Sequence, residues 1–234
     1  MKVTIWSDIR CPFCYIGKRK FEIALKEFPQ KEKIEVEWKS FELDPSLETQ
    51  KDKDVYDYLA EKKGQTRLWS EKVHAQVTQT AREVGLEYNF DKAIVATSFD
   101  AHRLIQLAKT KGLADVVEER LFKAYFTEGK DISDHKTLKT LGKEVGLTED
   151  AVQQMLASNA YGDEVRRDEA EAQTIGVNGV PFFVFNNQYA VSGAQAPAVF
   201  KQVLEKAWNE YEKTSAATGA QYNEGAACTV DSNC

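Results

Sequence analysis

The tetrapeptide Cys11-Pro12-Phe13-Cys14 lies at a junction, and the junction constrains the fold more than the cysteine spacing does. Ahead of it, residues 2–7 (Lys-Val-Thr-Ile-Trp-Ser) alternate in the manner of a short strand. Behind it, Ile16, Phe21, Ala24, Leu25 and Phe28 share one side of a helix expected from about Pro12 to Phe28. Lys33 to Phe41 alternates again, so the chain opens β-α-β with its two strands parallel. A cysteine at a helix start meets unpaired N–H groups and the positive end of the helix dipole, both of which favour a thiolate. Pro12 fits the first helical turn, where its missing N–H costs little. Cys11 is therefore the expected nucleophile. Cys14, one turn further in, is the expected resolving thiol.

Cysteine usage narrows the class. The 234 residues contain four cysteines, Cys11, Cys14, Cys228 and Cys234, with none between the two pairs. A secreted disulfide scaffold distributes its cysteines through the fold. No secretory leader is expected either, since Lys2 is followed at once by the strand pattern of Val3-Thr4-Ile5-Trp6. These features point to the reducing cytoplasm, where a close cysteine pair is catalytic or metal-binding. Structural zinc needs four ligands. His74, His102 and His135 are remote from the cysteines in sequence and read as surface or packing residues, so no metal is expected. With 31 Lys+Arg against 37 Asp+Glu, the net charge of −6 argues against non-specific nucleic-acid binding. No apolar run approaches the roughly 20 residues of a membrane span.

The texture changes after the opening. Val55–Lys63, Leu68–Val84, Phe99–Lys111, Ala114–Phe126 and Lys136–Val145 carry helical periodicity, with Gly85, Gly112, Gly129 and Gly146 as stops and Ser98, Ser133 and Thr148 as N-caps. A further helix is expected from Tyr161 to Ile175. Val180-Pro181-Phe182-Phe183-Val184-Phe185 and Gln188–Ser192 then flank an Asn186-Asn187 hairpin turn. Pro197 opens a last helix that is expected to end near Glu212. The chain divides into residues 1–50 and 161–212, two halves of one α/β unit, with an all-helical insertion over 51–160 and a flexible tail over 213–234.

The run Ser7-Asp8-Ile9-Arg10-Cys11-Pro12-Phe13-Cys14-Tyr15-Ile16-Gly17, the helical insertion, and Gly179-Val180-Pro181-Phe182 before a hairpin together resemble the DsbA-like thioredoxin-fold family, in its FrnE-type branch. The resemblance extends to about Tyr211. It implies a thioredoxin fold with an inserted all-helical domain, thiol–disulfide oxidoreductase activity, and a cis peptide bond before Pro181, with the Val180 backbone and the Pro12-Phe13 turn receiving substrate. The partners implied are protein disulfides or dithiols and cellular thiol reductants or oxidants. No resident cofactor is implied, and glutathione is a candidate co-substrate. In one respect the chain departs from DsbA, which has His where Phe13 stands. Phe cannot stabilise a thiolate by charge, so a reduction potential below the roughly −120 mV of DsbA is expected.

Cys228 and Cys234 can close a small ring, and the resemblance extends to a second C-terminal pair of this kind. They are candidates for a redox relay. From Lys213 to Cys228 the extended chain spans about 50 Å, enough on this reading to reach Cys11. Asp8 either accepts a proton from Cys14 or caps the strand-to-helix turn. Trp6 and Trp38 read as core, while Phe13, Phe182 and Phe183 divide between core and a substrate groove. Two other functions compete with the redox one. The structural family also includes glutathione-dependent isomerases, among them 2-hydroxychromene-2-carboxylate isomerases, and transferases, which typically carry Ser where Cys11 stands. A redox-linked chaperone that binds unfolded chains is the third reading.

Overall fold

The computed structural model describes residues 1–218. Cys228, Cys234 and the relay expected of them lie outside the described residues. The central strand β1 (Lys2–Ser7) is buried along nearly its whole length. It pairs parallel with β2 (Glu35–Ser40), Lys2 opposite Glu35 and Ser7 opposite Ser40. Helix α1 (Pro12–Glu27) makes the crossover between them. On its other side β1 pairs antiparallel with β5 (Phe182–Phe185), which turns through Asn186 and Asn187 into β6 (Tyr189–Ser192). Both turn residues have positive φ, 51° and 53°, as a two-residue hairpin requires. The sheet order is β2-β1-β5-β6.

Alternation places Phe183 and Phe185 of β5 on one face, where they meet Phe21 of α1 and Phe200 of α9 (Pro197–Thr218). The opposite face carries Trp6, Phe182 and Val184, which pack with Ala172 of α8 (Gly162–Thr174). Between β2 and β5 the chain forms α2 (Val55–Lys63), α3 (Arg67–Arg82), α4 (Phe99–Lys109), α5 (Ala114–Phe122) with a wide turn over Lys123–Thr127, α6 (His135–Glu144) and α7 (Glu149–Leu156). Their apolar faces and that of α1 form one contiguous core, joined where Tyr15 stacks on Phe122 at 4.8 Å.

Several sequence expectations need adjustment. A short antiparallel pair, β3 (Gln50–Asp54) with β4 (Ile94–Val95), carries no legible pattern because Gln-Lys-Asp-Lys-Asp has no apolar alternation. Asp134, not Ser133, caps α6, its carboxylate accepting from Thr137 N at 2.8 Å. Ser98 stands at the start of α4 without a capping side-chain bond, whereas Thr148 does cap α7.

Helix α9 runs to Thr218, past the expected end near Glu212 and into the segment read as a flexible tail. Lys213–Thr218 contains no Gly or Pro to stop it. Phe21 meets Phe200 and Phe28 meets Trp208, so α9 runs parallel to α1 and away from Cys11. At about 1.5 Å per residue, Thr218 lies roughly 42 Å along the axis from Cys11. Fully extended, the chain spans at most about 36 Å from Thr218 to Cys228 and about 58 Å to Cys234, so Cys234 stays within reach of Cys11.

Candidate active site

The site forms where β1 ends. Asp8 organises the turn: its main-chain oxygen accepts from Cys11 N at 2.9 Å, Oδ1 from Arg10 N at 3.0 Å, and Oδ2 from Leu43 N at 2.8 Å. The second of these bonds is an Asx-turn, and the third ties the turn to the segment after β2. Cys11 is the N-cap of α1 and Pro12 its first helical residue, as the sequence predicts. Cys14 follows one turn later, its N–H donating to Cys11 O at 3.0 Å. Both cysteines are free thiols and both are buried, Cys11 at 4% exposure and Cys14 at 1%. Phe13 between them is 44% exposed.

The Val180–Pro181 peptide is cis, and the Cys11 thiol donates to Val180 O at 3.4 Å. Pro181 O accepts from Gly193 N at 2.8 Å, which fixes this loop to the end of β6. Pro181 rests on α1 at Gly17, where an added Cβ would lie 2.9 Å from Pro181 Cγ and 3.4 Å from Phe183 Cζ. The rigid ring cannot swing aside. Gly17→Ala is therefore expected to cost about 1–3 kcal/mol and to slow turnover by displacing Val180 from Cys11. Urea midpoints and turnover check this, and an unchanged variant would show the loop to be pliant.

Burial pushes the Cys14 thiol well above its ordinary range. Cys11 adds to that shift, while the Asp8 main chain and the Ser7 side chain, hydrogen-bonded to Cys14, oppose it. Ser7 Oγ also donates to Glu118 Oε1 of α5 at 2.7 Å, in a fully buried contact. Burial raises Glu118 to about 7, against smaller opposing effects of Ser7, His102 and Lys18. His102 of α4 is buried with Nε2 3.6 Å from Asp8 Oδ1. Desolvation lowers its pKa, but Asp8, Glu118 and Glu42 outweigh that and raise it overall. Asp8 is likewise desolvated, yet His102, Arg10 and the Leu43 N–H leave it below the usual carboxylate range. Asp8 is thus held as an anion by the turn and by His102, which favours the capping role over proton acceptance.

His102 and Glu118 are the site residues that the sequence reading missed. Each lies on the apolar stripe of its helix, His102 beside Ala101 and Ile105, and Glu118 beside Val117 and Leu121. An ionisable residue in such a stripe is the available signal. Of the aromatic candidates, Phe183 is core and Phe182 packs behind the sheet, while Phe13 alone lines the cavity next to Cys11. Trp6 and Trp38 are core as expected. Among the described residues, no group of three or more His, Cys, Asp or Glu is placed to hold a metal, and no helix is long and apolar enough to cross a membrane.

A β-α-β opening with a cysteine capping α1, facing a cis proline before the antiparallel hairpin, defines a thioredoxin fold interrupted by helices. The model of the DSBA-like thioredoxin domain matches residues 2–205, and the chain belongs to that family, which acts in thiol–disulfide chemistry. It is 30% identical over 213 residues to the uncharacterized protein YwbO of Bacillus subtilis (strain 168), covering 90% of this chain and 97% of that one. The crystal structure of the probable DsbA oxidoreductase SCO1869 from Streptomyces coelicolor is similar at 40% identity and a TM-score of 0.84, over 90% of this chain and 91% of that one. The fold also resembles the cytosolic disulfide reductase DsbM from Pseudomonas aeruginosa with GSH, at 17% identity and a TM-score of 0.62, over 89% of this chain and 100% of that one.

Proposed function

We propose that this protein exchanges disulfides with polypeptide substrates through Cys11 and Cys14. The observation that carries the reading is the thiol of an N-cap cysteine on Val180 O, with a second, buried thiol one helical turn behind it. In the reducing direction, the Cys11 thiolate attacks a substrate disulfide. One substrate sulfur leaves as a thiolate, and a Cys11–substrate bond forms. Cys14 then attacks Cys11, the mixed disulfide breaks, the second substrate thiolate leaves, and a Cys11–Cys14 bond forms. The Cys14 proton passes to Ser7 Oγ as the Ser7 proton passes to Glu118, so the buried carboxyl ends protonated. The oxidising direction runs the same steps backwards. Val180, whose carbonyl faces Cys11, offers its backbone to the substrate, with Pro12 and Phe13 opposite. Insulin reduction by the wild type, compared with Cys11→Ser, tests the reading, and activity that survives the substitution would favour chaperone-like binding.

Glutathione is the second candidate, as a co-substrate that reduces the Cys11–Cys14 disulfide. The glutathione complex of a protein of the same fold supports it. A cytoplasmic setting fits both readings. We propose Cys228 and Cys234 as a relay that serves this site, Cys234 being the member whose extended reach from Thr218 covers the distance to Cys11. Turnover with cellular thiol reductants is then expected to fall in the Cys228→Ser/Cys234→Ser variant. A rate unaffected by the double substitution would remove the relay.

A further inference from the structure

A cavity of about 460 Å³ opens beside Cys11, between the cysteine turn and helices α2 and α3. This is the size range of a ligand pocket. Its lining includes the buried Val77, Phe90 and Phe126 and, beside Cys11, the exposed Phe13 and the half-buried Val180. No carboxylate lines it, although acidic residues outnumber basic ones in the chain. Three cations do: Arg10, Lys62 and Lys63. Lys62 is held by Asp44 at 2.6 Å, whereas Lys63 makes no ion pair among the described residues. Arg10 Nε is buried without a hydrogen-bond partner. An unpaired buried donor beside a nucleophile is satisfied when a carbonyl or carboxylate arrives with the substrate.

We propose that this cavity receives a large apolar side chain, aromatic or branched aliphatic, one or two positions from the half-cystine of an acidic polypeptide segment. The proposal rests on the disulfide-exchange reading and names its substrate class. The apolar walls exclude water from such a side chain, Arg10 donates to the adjoining carbonyl, and Lys63 faces the acidic flank. Glutathione, which has no large apolar side chain, would leave Val77, Phe90 and Phe126 uncovered.

The test uses the pre-reduced full-length protein in single turnover. Peptides with an internal disulfide carry Phe, Leu or Ser next to the half-cystine and Glu or Lys beyond it. The chemistry balances without added reductant: each Cys11/Cys14 dithiol becomes a disulfide as one peptide disulfide becomes a dithiol. The Phe and Leu peptides are expected to react at least about tenfold faster than the Ser peptide, and Glu-flanked peptides faster than Lys-flanked ones. Val77→Trp, which fills the cavity, is expected to erase the Phe-over-Ser ratio, and Lys63→Glu to reverse the charge preference. Equal rates for Phe and Ser peptides would overturn the proposal, as would glutathione disulfide reacting faster than every peptide. In either case the redox reading stands. Failure to reduce any disulfide, small or peptidic, would remove both.

Discussion

Cys14→Ser is expected to convert a turning-over protein into a trap. The substitution leaves Cys11 at the N-cap with Val180 O beside it, so the first attack on a substrate disulfide proceeds. The second step then has no thiol to perform it. The Cys11–substrate disulfide accumulates and appears on non-reducing gels as an adduct that dithiothreitol releases. Cys11→Ser acts earlier: a serine hydroxyl, weakly nucleophilic without an adjacent base, forms no mixed disulfide. Insulin reduction is expected to fall on the order of a thousandfold or more in both variants, with adducts confined to Cys14→Ser. Adducts appearing in Cys11→Ser instead would exchange the roles of the two cysteines. The burial data support the order given. Cys14 is the more enclosed, with its thiol pushed well above its ordinary range, whereas Phe13 beside Cys11 opens to solvent.

What the sequence made legible, and what it did not, follows from the range of the interactions. The cysteine turn, α1 and the Asn186-Asn187 hairpin are local patterns, in which each residue's neighbours in sequence are also its neighbours in space, and β2 is legible from its own alternation. Pro181 is placed by resemblance, and the structure adds the reason it can approach, the missing Cβ of Gly17. The polar cluster beneath the cysteines is of another kind. Ser7 and Glu118 are 111 residues apart, and His102 reaches Asp8 from a different helix. No window of sequence contains both partners. An acid or imidazole inside an apolar stripe signals that a partner exists without naming it. The end of α9 illustrates the opposite error: a polar, small-residue segment reads as loop, yet nothing in Lys213–Thr218 opposes a helix already begun.

Glu118→Gln separates chemistry from stability, because it is expected to move them in opposite directions. Glu118 meets Ser7 from β1, Lys18 from α1, His102 from α4 and Asp115 on its own helix, and burial holds its carboxyl near 7. Its folded pKa lies above its unfolded value. The stabilisation is therefore complete below about pH 4.5 and is lost as pH rises through about 7. At pH 8 the folded protein carries a buried carboxylate that glutamine would not, and the variant is expected to gain up to ~3 kcal/mol over the wild type there, and nothing near pH 4. Gln retains an oxygen to accept from Ser7 Oγ, so the hydrogen bond survives. What it loses is the capacity to take a proton. Cys14, with its raised pKa, must shed one to attack Cys11. Resolution of a preformed mixed disulfide is expected to slow roughly a hundredfold at pH 8 and to lose the wild-type rise in rate across pH 7. Thermal unfolding and single-turnover rates between pH 5 and 8.5 check both halves. A variant that is stabilised at high pH yet resolves at the wild-type rate would leave Glu118 a buried acid outside the reaction. One that is slowed equally at every pH would make it a support for Ser7 alone.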